Sequence, residues 1–185
     1  MQTIDFAELS RLSDDLDARK PYVELIDGVR VPKVSPRTRH TFLQGELYVL
    51  FRAWATGRGR VGPEWRLWLV PTGEQRSSLV PDVAYVSQER LDQLGDEAHE
   101  MPPFAPDVAV EIRSPGDRRK RIERKIELYL SYGARLVLDV DPRTRTIFAH
   151  DGSGMRAFRD GDRFEHGAVP GLEFDVCALF DAGGR

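Results

Sequence analysis

One acid stands where acids are costly, and it constrains the fold more than any other feature of the chain. Glu111 lies inside the apolar run "DVAVEI", and a stretch crowded with arginine and lysine, "RRKRIERKIELYL", follows almost at once. Burying an unpaired carboxylate costs several kcal/mol, so such a group meets a cation or a metal, or it takes up a proton and turns neutral. Along Asp107 to Arg113 the strand alternation sends Val108, Val110 and Ile112 one way and Ala109, Glu111 and Arg113 the other. Glu111 thus shares its face with a cation.

A second acid has the same setting. In "PDVAYV" Asp82 shares a face with Ala84 and Val86, opposite Val83 and Tyr85. The tetrapeptide "PDVA" recurs at Pro106, which makes Asp107 a rival partner for Glu111. Four strand residues span about 13 Å, too far for two carboxylates to share one ion, whereas neighbouring strands lie about 5 Å apart. Asp82 and Glu111 are the expected pair.

The rest of the chain reads as alternating strands and helices. Ile4 to Leu16 suggests a short N-terminal helix, and Asp27-Gly28 inside "YVELIDGVRV" is the turn pair of a tight hairpin. "SPRTRHTFLQGELYVLFRAWA" predicts a helix capped by Ser35, with Pro36 at its first position and Leu43, Leu47, Leu50 and Trp54 at helical spacing. Strands are expected at Glu64 to Val70, Asp82 to Val86 and Asp107 to Arg113, and a basic helix from Asp117 to Tyr132, ended by Gly133. "RLVLDV" and "RTIFAH" flank the turn signal "DPRT" as a hairpin, and "GLEFDVCALF" closes the core. This alternation favours an α/β fold, a single domain over 1–185 with a mixed β-sheet flanked by helices, residues 1–20 forming an N-terminal helical segment and 21–180 the core.

On the basic helix, at roughly 100° per residue, Ile122, Ile126 and Tyr129 share one face. Lys125 lies about 60° from Ile122, on the border of that face, while Lys120 and Arg124 lie on the far side. Lys125 can bury its stem and extend its ammonium toward the carboxylates. Glu111 is therefore expected to face a metal ion, with Lys125 or Arg113 close by.

Composition excludes other classes. A chain of 185 residues, 41% apolar and 31% charged, is ordinary for one soluble domain, and a single cysteine, Cys177, rules out an intrachain disulfide or a multi-cysteine zinc site. The acidic N-terminal segment lacks the basic start of a signal peptide, and no run approaches the roughly 20 apolar residues of a membrane span, so a cytoplasmic protein without membrane insertion is expected. The formal charge of −3 argues against a uniformly basic coat, so the positive charge between Arg113 and Lys125 is local.

"YVELIDGVRV", His40 opening a helix, "VPDVAYV", "PPFAPDVAVEIRSP", "RKIELYLSYGA" and "VLDVDPRTRTI" together resemble the Uma family of restriction-endonuclease-like proteins, within the PD-(D/E)XK nuclease superfamily. The resemblance runs from about Tyr22 to Phe180. It implies a restriction-endonuclease-like core that binds Mg2+, with Mn2+ as a substitute, through Asp82, Glu111 and the Ile112 carbonyl, and that hydrolyses DNA. The superfamily lysine two residues after the acid is absent: Arg113 stands there, and an arginine, with a pKa above about 12, neutralises charge but exchanges no proton. The resemblance moves the lysine to the following helix, at Lys125. It adds Glu24 for the metal or its water shell and His40 for a phosphate, while the local basic charge makes Arg37, Arg39, Arg118 and Arg121 candidate nucleic-acid contacts. A homodimer is compatible with the sequence. The missing strand lysine and the acidic charge keep open a second reading, a non-catalytic nucleic-acid-binding or protein-interaction module on the same fold. A metal-free acid/base hydrolase is disfavoured, since no sugar-binding aromatic cluster lies near the two acids.

Overall fold

The computed structural model describes residues 5–17, 22–33, 36–70 and 73–183. The chain begins with helix α1 (Phe6–Asp17), followed by the hairpin of β1 (Val23–Ile26) and β2 (Val29–Pro32). Asp27 and Gly28 turn it with φ of 51° and 79°, as an Asp-Gly two-residue turn requires. A Cβ at Gly28 would lie 2.4 Å from the Glu74 carbonyl oxygen, so this position needs glycine for space as well as for its dihedral angle.

Helix α2 runs over Thr38–Trp54 and buries Leu43, Leu47 and Phe51. It starts later than its sequence suggests. Arg37 is still extended (φ −96°, ψ 168°) and is the N-cap without a side-chain bond, so Pro36 precedes the helix and is not its first residue; the expected cap, Ser35, lies outside the described residues.

Next come β3 (Gly59–Pro63), β4 (Leu67–Val70), β5 (Ser77–Leu79) and β6 (Val83–Ser87). The strand expected from Glu64 begins only at Leu67, because Glu64 has a φ of 49°, outside the strand region. Two short helices, α3 (Gln88–Leu91) and α4 (Asp96–Glu100), lead to β7 (Val108–Ile112). The basic helix α5 (Arg119–Ser131) crosses to β8 (Leu136–Asp141), and Gly133 follows it at a φ of 100°. The chain closes through β9 (Thr146–Asp151), β10 (Gly154–Phe158), β11 (Arg163–Phe164), β12 (Phe174–Asp175) and α6 (Val176–Ala182).

Among the described residues the strands form a six-stranded sheet of order β10-β9-β8-β7-β6-β3, a four-stranded sheet of order β2-β1-β5-β4, and the small pair β11-β12. Within the large sheet β7 and β8 are parallel, with α5 as their crossover, and the other pairs are antiparallel. The sheet is mixed and flanked by helices, an α/β single domain.

Each face of the large sheet has its own core. Val83, Tyr85, Val108, Val110, Ile112, Leu136, Leu138 and Val140 pack with the leucines of α2 and with Leu179 and Phe180 of α6. The opposite face presents Ala84, Ala109 and Val137, residues small enough to let Ile126 and Tyr129 of α5 and Leu67, Leu69 and Leu79 of the four-stranded sheet approach closely. Glu111 lies on this second face. Arg124 of α5 also grips Asp27 of the hairpin at 2.7 and 2.8 Å, which ties the four-stranded sheet to the helix. Among the described residues no helix is long and apolar enough to cross a membrane.

Candidate active site

Antiparallel pairing places Val83 opposite Val110, and the Asp82 amide carries the pattern one residue further by donating to the Val110 carbonyl at 2.9 Å. Asp82 thereby comes to the side of Glu111, as the lateral approach of neighbouring strands requires. Its Oδ2 accepts from the Ile112 amide at 2.6 Å, and its own carbonyl accepts from the Gln44 side chain of α2 at 3.0 Å. Around Oδ1, a buried oxygen without a directed hydrogen bond, stand the Lys33 ammonium at 2.7 Å, as an ionic contact, and the His40 Nε2 at 3.2 Å.

Glu111 is held from α5. Lys125 Nζ donates to its Oε2 at 2.6 Å, and the Tyr129 hydroxyl donates to its Oε1 at 2.7 Å. The same ammonium donates to Glu24 Oε1 at 2.9 Å, and that oxygen also accepts the Val80 amide at 2.8 Å. The charged groups are almost sealed: Asp82 is 1% exposed, Glu24 3%, Lys125 5% and Glu111 9%. Helical spacing explains the arrangement, because Lys125 and Tyr129 are one turn apart on the buried stripe of α5.

Burial sets the electrostatics, and neighbours then correct it. Burial alone would raise the Asp82 carboxyl, yet Lys33 and His40 overcome it and hold the group well below the ordinary range. Glu111 is pushed up to about 7 by burial, with Glu24 and Asp82 adding to the rise and Lys125 and Lys33 opposing it. Burial would discharge Lys125, but Glu111 and Glu24 outweigh it and raise the group, so it remains an ammonium.

Of the other candidates, His40 enters the site, its Nδ1 lying 3.1 Å from the Ser114 hydroxyl. Arg113 shares the face of Glu111 but turns sideways: its guanidinium binds Asp139 at 2.7 and 2.5 Å and Asp141 at 3.0 Å, and lies over the Phe148 ring. Lys125, and not Arg113, is thus the cation that meets Glu111. Arg121 lines the cavity at the carboxylates, while Arg37 and Arg39 line an adjoining groove of about 780 Å3 together with Arg113, Arg119 and Arg143. Arg118 is the N-cap of α5 and lines neither. Asp107 serves elsewhere, accepting from the Ser87 amide and pairing with Arg135.

Lys33 and the hydroxyl of Tyr129 went unread in the sequence. Tyr129 was visible as part of an apolar stripe, and only its spacing from Lys125 could have suggested a shared acceptor. Lys33 carries no periodic signal at all.

The residues present fit a small divalent cation. All the offered donors are hard oxygens, Asp82 Oδ1 lacks a directed hydrogen bond, and the cavity between the carboxylates has about 40 Å3 of room, where a water needs roughly 10–15 Å3. Among the described residues no three His, Cys, Asp or Glu side chains are grouped to enclose a metal.

The sequence pattern of the Uma2 family, described as "Putative restriction endonuclease", matches residues 6–177. The chain belongs to the Uma2 family. A solved structure, "Crystal structure of a putative nuclease belonging to DUF820 from Anabaena variabilis", superposes with a TM-score of 0.81 at 21% identity, covering 98% of this chain and 99% of that one. At that identity the likeness establishes the fold. No curated protein matches the chain. The Uma2 match spans every element that contributes to the site, from β1 with Glu24 to α5 with Lys125.

Proposed function

We propose that this Uma2 chain is a magnesium-dependent endonuclease that hydrolyses DNA phosphodiester bonds, with Asp82 and Glu111 as metal ligands and Lys125 as the catalytic cation. The observation that carries the reading is the Lys125 ammonium, 2.6 Å from a carboxylate that stands beside a second carboxylate across a strand pair. A bound magnesium or manganese ion would polarise the phosphoryl oxygen and lower the pKa of a coordinated water. Asp82 is already oriented by the Ile112 amide, so it offers Oδ1 without searching rotamers. Lys125 stays charged and fixed in direction by two carboxylates, which suits it to neutralise charge that develops on the phosphate. Arg113, Arg37 and Arg39 lie where the groove would receive the flanking phosphates, with Arg121 nearer the carboxylates.

One observation favours a non-catalytic module: both Glu111 oxygens and both Asp82 oxygens already have partners or cations within the chain. Incubating supercoiled plasmid with the protein and Mg2+ or Mn2+, with and without chelator, decides between them. Chelator-sensitive nicking or linearisation is the expected result. Plasmid left intact with both metals over a range of salt and pH would favour the module.

A further inference from the structure

Among the described residues, Lys33 is the one cation of the site that lies outside every motif described above. It follows β2, and its backbone is anchored, the amide donating to the Tyr22 carbonyl at 2.7 Å. Its side chain reaches in to place Nζ 2.7 Å from both the Val80 carbonyl and Asp82 Oδ1. The two lysines are held differently. Lys125 is shared by two carboxylates and 6% exposed in its side chain, whereas Lys33 touches one carboxylate and is 14% exposed.

Lys33 Nζ stands 2.7 Å from Asp82 Oδ1, the oxygen through which Asp82 would hold a divalent ion, so an ion seated there must displace it. A lysine with an anchored backbone and a flexible four-carbon stem can withdraw by rotamer change alone. The displaced ammonium keeps its charge and can then meet a phosphate.

We propose that Lys33 is a positioning residue whose ammonium occupies the cation seat on Asp82 Oδ1 in the metal-free chain, and that it leaves that oxygen for the mouth of the cavity when a divalent ion binds. The inference rests on the reading that Asp82 and Glu111 hold such an ion.

Calorimetric titration of Mn2+ into the full chain, without DNA, tests it. Lys33→Met removes the competing charge, so Mn2+ should bind at least tenfold more tightly while the KM for DNA rises; a lysine that merely braces Asp82 would weaken Mn2+ binding or leave it alone. Equal or weaker Mn2+ binding in a folded Lys33→Met variant overturns the proposal. The wild type supplies a second readout that needs no variant. The chain has four lysines, and the exposed Lys120 is an internal reference for acetylation followed by mass spectrometry. Saturating Mn2+ should raise the acetylation rate of Lys33 several-fold relative to Lys120, and an unchanged ratio counts against displacement. Wild type that binds Mn2+ with neither effect sinks this inference alone, whereas wild type that binds no Mn2+ sinks the metal reading and the inference with it.

Discussion

The hydroxyl of Tyr129 donates to Glu111 Oε1 at 2.7 Å, one helical turn beyond the lysine that binds the other oxygen of the same carboxylate. One face of α5 therefore fixes both oxygens, and the position of Glu111 depends on how this helix docks on the sheet. Tyr129→Phe keeps the ring and its packing but removes the donor. A hydrogen bond to a charged acceptor contributes about 1.5–3 kcal/mol, so the variant should melt at lower temperature. Partners that orient metal ligands cost about 10–100-fold in metal affinity or activity when removed, and a fall of that size in Mn2+ affinity is expected. Unchanged melting and unchanged Mn2+ binding would show that the hydroxyl is idle.

The raised Glu111 carboxyl gives cation binding a pH dependence. Burial pushes it up to about 7, so below that value a divalent ion must displace a proton to bind. Mn2+ affinity should climb by about tenfold per pH unit up to about 7 and then level off. The stability contribution of the free chain has the opposite slope. A carboxyl raised from 4.5 favours folding fully below that value, and the advantage is lost as pH rises through about 7. Asp82 is lowered, so its contribution is present above its ordinary 3.8 and disappears only as strong acid protonates it. Titrations at several values between pH 5.5 and 8.5 check this, and a flat Mn2+ affinity would contradict the shift.

How much of this site could be read in advance depended on whether a single element carried the signal. Two-residue alternation is a property of one strand, and it put Glu111 on the face of Ala109, where Lys125 and Tyr129 of α5 meet it. The helical angle likewise brought Lys125 to the sheet. Lateral direction was not legible: Arg113 shares the face of Glu111, but only the parallel pairing that sets Asp139 opposite Glu111 reveals which carboxylates its guanidinium reaches. Strands β3, "GRVGP", and β5, "SSL", have too little apolar pattern to be recognised, and sheet pairing alone defines them. Lys33 depends on the docking of one sheet against another, which no local pattern encodes.

Nucleic-acid binding through the arginine groove should depend steeply on salt. Each phosphate contact contributes about 0.9 to the slope of log affinity against log salt on duplex DNA. Reversing charge at Arg37 and Arg39, both exposed on the groove wall, should flatten that slope by about 2, whereas Arg118→Glu, outside the groove, should change it less. Fluorescence anisotropy with labelled duplex between 50 and 300 mM salt, with Ca2+ in place of Mg2+ to suppress cleavage, measures all three slopes. Equal effects from the three positions would mean that the basic charge acts as a diffuse field and that the groove has no special place in docking.

Lys125 and Arg113 divide the cationic work, and their variants separate an active nuclease from a retired one. Lys125 lies between two buried carboxylates, so Lys125→Ala does more than delete a catalytic group. Breaking a buried ion pair costs about 3–5 kcal/mol, so a clear loss of stability at neutral pH is expected. Cleavage must therefore be compared on folded protein, at a temperature well below the variant's melting point. There Lys125→Ala should lose about 100-fold or more in kcat, the size of effect seen when one group that stabilises transition-state charge is removed. Arg113 is a third exposed and bound to Asp139 and Asp141, so Arg113→Ala should mainly raise the KM for DNA and disturb the two aspartates it neutralises. Cleavage that survives loss of Lys125 and vanishes with Arg113 would move the chemistry back to the strand position. If wild type, Lys125→Ala and Arg113→Ala all leave DNA intact with either metal, the buried pair is a structural device and the fold serves binding alone.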